Sequence, residues 1–184
     1  SLIEENGRAH FLTKRFDREN GRKIHMQTLC GMAHYDFRLR RGYSYEQAFT
    51  VMRRLRLPYS QAQEMFRRMA FNVVARNQDD HTKNISFLMD EKGVWRLAPA
   101  YDMGYAYNPS GLWTSTHQMS VNGKFDGITR KDLLECAASN NIRNAGEIID
   151  QVCDAASRWG GIAKECGVPQ NMIDTIKTNL LLNI

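Results

Sequence analysis

The stretch Asn77-Gln78-Asp79-Asp80-His81-Thr82-Lys83-Asn84, read with Ala98-Pro99-Ala100-Tyr101-Asp102, decides how this 184-residue chain is organised. Between them lie two short apolar runs, Ile85-Ser86-Phe87-Leu88-Met89 and Val94-Trp95-Arg96-Leu97. Asp90-Glu91-Lys92-Gly93 joins the runs, which predicts a β-hairpin. If the turn pairs Met89 with Val94, Asn84 falls opposite Pro99 and Asp102 lies just beyond. Paired strands sit ~5 Å apart and rise ~3.3 Å per residue, so Asn84 and Asp102 are expected at the same end of the ribbon. Pro99 cannot donate to a ladder, so the second strand should stop there and free Tyr101-Asp102 to curl inward. Asp79 precedes the first strand across a short polar loop and can overhang the same spot.

Three oxygen-bearing side chains at the mouth of a hairpin suit a hard cation. Mg²⁺ keeps several waters and is commonly held by one or two carboxylates plus substrate phosphates, and Asn84 with Asp102 forms that minimal set. Asp79, left off the metal, can accept a proton from an attacking hydroxyl, and Lys83 can neutralise charge on a transferring phosphoryl group. An Asp, an Asn five residues later and a second Asp beyond a hairpin is how protein kinases arrange their base and magnesium ligands. Taken singly, each residue has a plainer reading. Asp79-Asp80 alone could be a turn, because Asp favours local hydrogen bonds. Asp80 reads as structural support, and His81 as an orienting group, since no second His stands at ligand spacing. His10, His25, His34 and His117 show no paired pattern and read as incidental.

Outward from this cluster the chain is ordinary globular material, 42% hydrophobic and 24% charged, enough for one domain or one lobe of a larger protein. No apolar run approaches the ~20 residues of a membrane span. Cys30, Cys136, Cys153 and Cys166 form no CxxC pair and read as buried, reduced thiols. The net charge of +5 is uneven: residues 1–83 carry 16 bases and 9 acids, residues 84–184 carry 9 and 11. From Arg38 to Arg76 every base is arginine, a face able to attract nucleic acid or a phosphorylated group, although such runs are commonly solvated helix surface.

The elements are expected as follows. Residues 9–16 form a strand that ends in the turn-rich Asp17–Gly21; its partners are not evident nearby, so sequence upstream or a second chain is expected to pair with it. Ile24 to about Met32 is a short helix. Ser44 with Gln47 opens a helix that ends before Pro58, and Ser60 with Gln63 opens a long buried one carrying Met65, Met69, Val73 and Val74. Residues 112–127 are irregular, with one strand near Met119. Thr129 with Asp132 caps a helix to about Ser139, a further helix covers roughly 145–166, and Pro169 stands in the first turn of a last one ending near Leu182. The fold class is therefore mainly α (α+β), helix-rich with one small hairpin carrying the polar cluster.

Arg15-Phe16-Asp17-Arg18, the Asp79-to-Asn84 motif and Ala98-Pro99-Ala100-Tyr101-Asp102 resemble the C-terminal lobe of the HipA-like serine/threonine kinases, toxin components of bacterial type II toxin–antitoxin modules. The likeness extends to His25-Met26-Gln27-Thr28-Leu29-Cys30-Gly31 and Met119-Ser120-Val121-Asn122-Gly123-Lys124. It implies one kinase-like helical C-lobe over residues 1–184, with the catalytic loop on the small hairpin: hinge strand and exit (1–20), helices (24–76), catalytic loop, hairpin and metal motif (77–104), then a loop and C-terminal helices (105–184). It also implies Asp79 as the base, Asn84 and Asp102 as Mg²⁺ ligands, and His81, Thr82, Lys83 and Tyr101 along the phosphate side of ATP. Lys14-Arg15-Phe16 would be the hinge at the adenine, with Asp17 and Asp80 in support. The implied setting is the cytoplasm, away from membranes, with a protein substrate, a small DNA-binding antitoxin and, through that antitoxin, DNA.

The departure is plain. No Gly-x-Gly-x-x-Gly and no N-lobe lysine are present, so residues 1–184 alone are expected to transfer little or no phosphate. Two other readings stay open: a non-catalytic module that binds an antitoxin or DNA through the arginine-rich face, and a metal-dependent phosphohydrolase built on Asp79-Asp80-His81. The latter chemistry usually wants two metals ~3.5–4 Å apart and more ligands than this sequence offers.

Overall fold

The computed structural model describes all 184 residues, which form seven helices and nine short strands in four small sheets. Strand content thus exceeds the expected single hairpin, and the fold is mixed helix and strand. β1 (Leu2–Glu5) and β2 (Arg8–Phe11) pair antiparallel around Asn6-Gly7. Both turn residues have positive φ, 51° and 72°, as a type I′ turn requires. The strand expected over 9–16 is therefore shorter, and its partner is the segment immediately before it. Every residue of this hairpin is exposed. β3 (Arg18–Glu19) and β4 (Arg22–Lys23) repeat the device around Asn20-Gly21.

Residues 24–32 divide into β5 (His25–Thr28) and a single helical turn, α1 (Leu29–Met32), capped by the Thr28 hydroxyl. β6 (Tyr43–Ser44) leads into α2 (Tyr45–Arg54) through the expected capping box: Ser44 Oγ accepts from Gln47 N, and Gln47 Oε1 accepts from Ser44 N. α3 (Tyr59–Val74) begins directly after Pro58, with no side-chain cap. Ser60 already lies inside its first turn, so the expected Ser60–Gln63 box does not form, and Gln61 instead accepts a hydrogen bond from Leu97 N.

β7 (Ser86–Met89) and β8 (Trp95–Leu97) form the hairpin, and β5 pairs along the other edge of β7. The register differs by one residue from expectation: Met89 faces Trp95, not Val94. Asp90 N bonds to Val94 O across Glu91-Lys92-Gly93, and Gly93 takes φ +77°. A three-residue loop closed by a left-handed glycine absorbs the extra position. β9 (Met119–Ser120) pairs parallel with β6.

α4 (Arg130–Ser139) carries the expected Thr129–Asp132 capping box. Burial resists ionisation of Asp132, but hydrogen bonds from Thr129, Lys124 and Asn122 outweigh it and hold the carboxyl below the usual range. The helix expected over 145–166 is two, α5 (Ala145–Ser157) and α6 (Trp159–Glu165), broken at Arg158; past the break, Trp159 Nε1 donates to Ile173 O. Pro169 stands just before α7 (Gln170–Asn179), which ends short of Leu182. No helix is long and apolar enough to cross a membrane.

The core gathers on α3, whose Met65, Phe66, Met69, Ala70 and Val73 recur at helical spacing and are fully buried. Tyr45 and Phe49 of α2, Phe87 of β7, Leu133 of α4 and Ile149 of α5 close around them. Each large apolar side chain so buried contributes about 1.5–3 kcal/mol. Cys30 and Cys136 are buried as expected, whereas Cys153 is half-buried and Cys166 exposed; all four are free thiols.

Candidate active site

The end of α3 launches the polar loop. Asn77 N bonds to Asn72 O and Arg76 N to Val73 O, with Arg76 left-handed at φ +56°. This is a Schellman closure with arginine where glycine is usual. The Arg76 guanidinium lies 3.9 Å from the Tyr107 ring centroid and 4.0 Å from Asp126, which helps hold the uncommon backbone.

From that closure the 101–106 segment is laid across the loop. Gln78 N donates to Ala106 O and Ala106 N to Arg76 O. Asn77 Nδ2 donates to Asn72 Oδ1 at 2.9 Å and reaches the Asp102 carbonyl at 3.5 Å. The Tyr101 hydroxyl donates to Lys83 O at 2.6 Å and meets Ser86 Oγ at 2.5 Å. Residues separated by the whole hairpin are thus tied together, which fixes the backbones of Asp79, Asn84 and Asp102 near its open end.

The three side chains are free in different ways. Asn84 Nδ2 donates to Asp79 O at 3.0 Å, which turns its carbonyl oxygen away as an unused acceptor. Asp102 is left-handed at φ +55°, an uncommon conformation for a non-glycine residue, and its exposed carboxylate takes no hydrogen bond from the protein. The Asp79 carboxylate, 45% exposed, has only His81 Nε2 near it, at 3.9 Å. An amide oxygen and a carboxylate with unspent lone pairs are the donor chemistry a hard cation takes, so Asn84 and Asp102 fit Mg²⁺. Nowhere do three His, Cys, Asp or Glu side chains converge at metal distance.

Around this surface the other expected residues divide. The Phe16 ring packs on Tyr101, centroids 5.7 Å apart, which joins the hinge segment to the metal motif. Lys83 is exposed, with Nζ 3.9 Å over the Phe37 ring. His81 is partly buried, and its Nδ1 has no partner. Thr82 is 2% exposed with an unpartnered hydroxyl, so any contact with a phosphate would have to run through its backbone. Lys14 is exposed and unpaired. Arg15 turns to Asp17, its Nε and Nη2 donating to the two carboxylate oxygens at 2.8 and 2.7 Å, and Arg18 adds a third donor.

The Arg15 hydrogen bonds hold the Asp17 carboxyl at about 2, against an unfolded value near ~3.9. A depressed carboxylate stabilises the fold above the unfolded value and loses that contribution as pH falls through the folded one. The stability difference between the wild type and Asp17→Asn is therefore expected to shrink as pH drops from ~4 toward ~2. Urea midpoints measured across that window check it, and a constant difference would contradict it.

Asp80, read from the sequence as structural support, anchors a buried network whose other members that reading does not link to it. Asp80 is fully buried: Oδ2 accepts from the Tyr45 hydroxyl at 2.7 Å and lies 2.9 Å from His117 Nδ1, while Oδ1 accepts from Gln118 N at 2.8 Å. Asn72 Nδ2 donates to the Tyr45 hydroxyl, and Asn72 Oδ1 accepts from Asn77. His117, read as incidental, is a buried partner of the loop. Only the contact across 37 residues reveals it, and no local spacing signals that.

Comparison with known proteins bears on the fold and the family. The family model described as the HipA-like C-terminal domain matches residues 1–159. A Sinorhizobium fredii protein named "Putative kinase Y4mE" is 28% identical over 108 residues, which are 53% of this chain and 26% of that protein. HipA of Shewanella oneidensis, solved in a toxin–antitoxin complex with HipB and operator DNA, superposes with a TM-score of 0.70 at 21% identity. That match covers 91% of this chain and 46% of HipA, so the chain spans about a quarter of one relative and under half of the other. The chain belongs to the HipA-like C-terminal domain family.

Proposed function

We propose that this chain is the catalytic half of an ATP- and Mg²⁺-dependent protein serine/threonine kinase, the cytoplasmic toxin of a toxin–antitoxin module restrained by a small DNA-binding antitoxin. The observation that supports the reading is the tying of the Asp79 backbone by Asn84 and of the Asp102 backbone by Asn77 at the open end of the hairpin, with the Asp79 and Asp102 carboxylates taking no hydrogen bond from the chain. In this reading the γ-phosphoryl group passes from ATP to a serine or threonine oxygen, ADP leaves, and the hydroxyl proton goes to Asp79. Asn84 and Asp102 hold Mg²⁺, which when bound neutralises phosphate oxygens. Phe16 offers a ring to the adenine, braced by Tyr101, and Lys14 and Arg15 contribute backbone groups. His81 and Lys83 lie along the phosphates, and Asp17 and Asp80 keep the hinge and the loop in place.

The arginine-rich surface supports the non-catalytic alternative less well. Arg53 donates to Asn140, Arg67 to Gln151, Arg68 to Glu64 and the Ala98 carbonyl, and Arg76 covers Tyr107. These four guanidinium groups are engaged within the chain, whereas Arg40, Arg41, Arg54 and Arg56 of the same run have no carboxylate partner.

A form extended through an N-terminal lobe is expected to transfer labelled phosphate from ATP to serine or threonine of a protein substrate. Residues 1–184 alone are expected to transfer almost none, because they hold no glycine-rich phosphate loop. Transfer by the short chain would contradict the need for a second lobe, and a folded long form without transfer would remove the reading.

A further inference from the structure

Two loops flank the catalytic surface, and neither has a role in the reading above. The 36–42 loop touches the catalytic loop where Phe37 lies under Lys83, and it touches the 108–116 loop where Arg40 lies 5.5 Å over the Trp113 ring. Gln78, with its buried amide nitrogen turned toward them, meets the Thr114 and Ser115 carbonyls at 2.9 and 3.2 Å, anchoring the second loop one residue from Asp79. On this continuous surface Phe37, Leu112 and Trp113 are 50%, 64% and 45% exposed. Arg40 has no carboxylate partner, and Arg41 finds only the Thr116 hydroxyl, at 3.3 Å. Unbalanced cations beside exposed aliphatic and aromatic groups ask for an acidic, partly apolar partner. The Phe37 and Trp113 rings already carry a cation over one face, which leaves them poorly placed to stack bases, so the surface suits a peptide better than single-stranded nucleic acid.

We propose that the 36–42 and 108–116 loops form the docking surface for the protein substrate, taking an acidic residue near its acceptor hydroxyl on Arg40 and Arg41 and an aliphatic one on Leu112 and Trp113. The proposal rests on the kinase reading, but its test needs no catalysis. Fluorescence anisotropy with the 184-residue chain compares three labelled probes: a short serine peptide bearing Glu and Leu, the same peptide with Lys for Glu, and a single-stranded DNA oligonucleotide. The acidic peptide is expected to bind at least about tenfold tighter than the lysine peptide, a difference of ~1.4 kcal/mol. Arg40→Glu/Arg41→Glu should reverse that preference, and Leu112→Glu, at an open position, should weaken the acidic peptide with unchanged melting. Asp79→Asn should leave peptide binding by the 184-residue chain as it is, while the same change in the two-lobed form removes transfer, so failure of docking and failure of the kinase reading are told apart. Equal binding of both peptides, or an unchanged preference in the folded double variant, would overturn the proposal. So would DNA binding as tight as the acidic peptide's and lost in the same variant.

Discussion

Asp80→Ala is expected to lower the unfolding free energy by about 3–5 kcal/mol, a large share of the stability of a domain this size. The carboxylate is 1% exposed and meets Tyr45, His117 and Gln118 N, groups contributed by α2 and by the segment that leads into β9. Alanine removes all three contacts without admitting bulk water. A buried donor left unpaired costs about 1–3 kcal/mol, and Tyr45 is enclosed so fully that burial, with Asp80 beside it, pushes its hydroxyl well above the usual tyrosine range. Urea denaturation followed by circular dichroism measures the change in midpoint. A loss below about 1 kcal/mol would mean the network is ornamental.

Asp79→Asn is expected to act in the opposite sense, sparing the fold and removing activity. Its carboxylate takes no hydrogen bond from the chain and is half-exposed, so the thermal midpoint should stay at the wild-type value. In the two-lobed form, loss of a positioned base should reduce kcat by about 10²–10⁴-fold with little change in KM for ATP, because the group acts on the hydroxyl and not on the nucleotide. A fall in kcat matched by a lost fold, or an undiminished kcat, would take the base assignment away from this residue.

Two adjacent aspartates with opposite fates show what a sequence can and cannot disclose. The hairpin between Asn84 and Asp102 was legible because two short apolar runs about a turn are a local signal. The Ser44–Gln47 and Thr129–Asp132 caps were legible because capping is local. The Asn6-Gly7 hairpin was equally open to local reading and was overlooked. Other features are set by distant contacts. His25–Thr28 is a strand only because Ser86–Met89 lies beside it, and His117 matters only because Asp80 is buried against it. The one-residue register shift depends on Gly93 turning left-handed, which the residues Asp90–Gly93 permit without dictating. The Ser60–Gln63 pair looked like a cap and is not one, since Pro58 starts its helix earlier.

The proposed kinase site depends on Asn84 and Asp102 sharing one divalent ion while Asp79 stays apart from it. Electron paramagnetic resonance of Mn²⁺, standing in for Mg²⁺, with ADP and the two-lobed form tests this directly, since free and bound Mn²⁺ are counted without turnover. Asn84→Ala and Asp102→Asn should each weaken the protein-bound Mn²⁺ by about tenfold or more, the scale of one lost ligand at ~1.4 kcal/mol, with Asp79→Asn close to the wild type. Unchanged Mn²⁺ binding in either ligand variant, or a loss as large in Asp79→Asn, would contradict it.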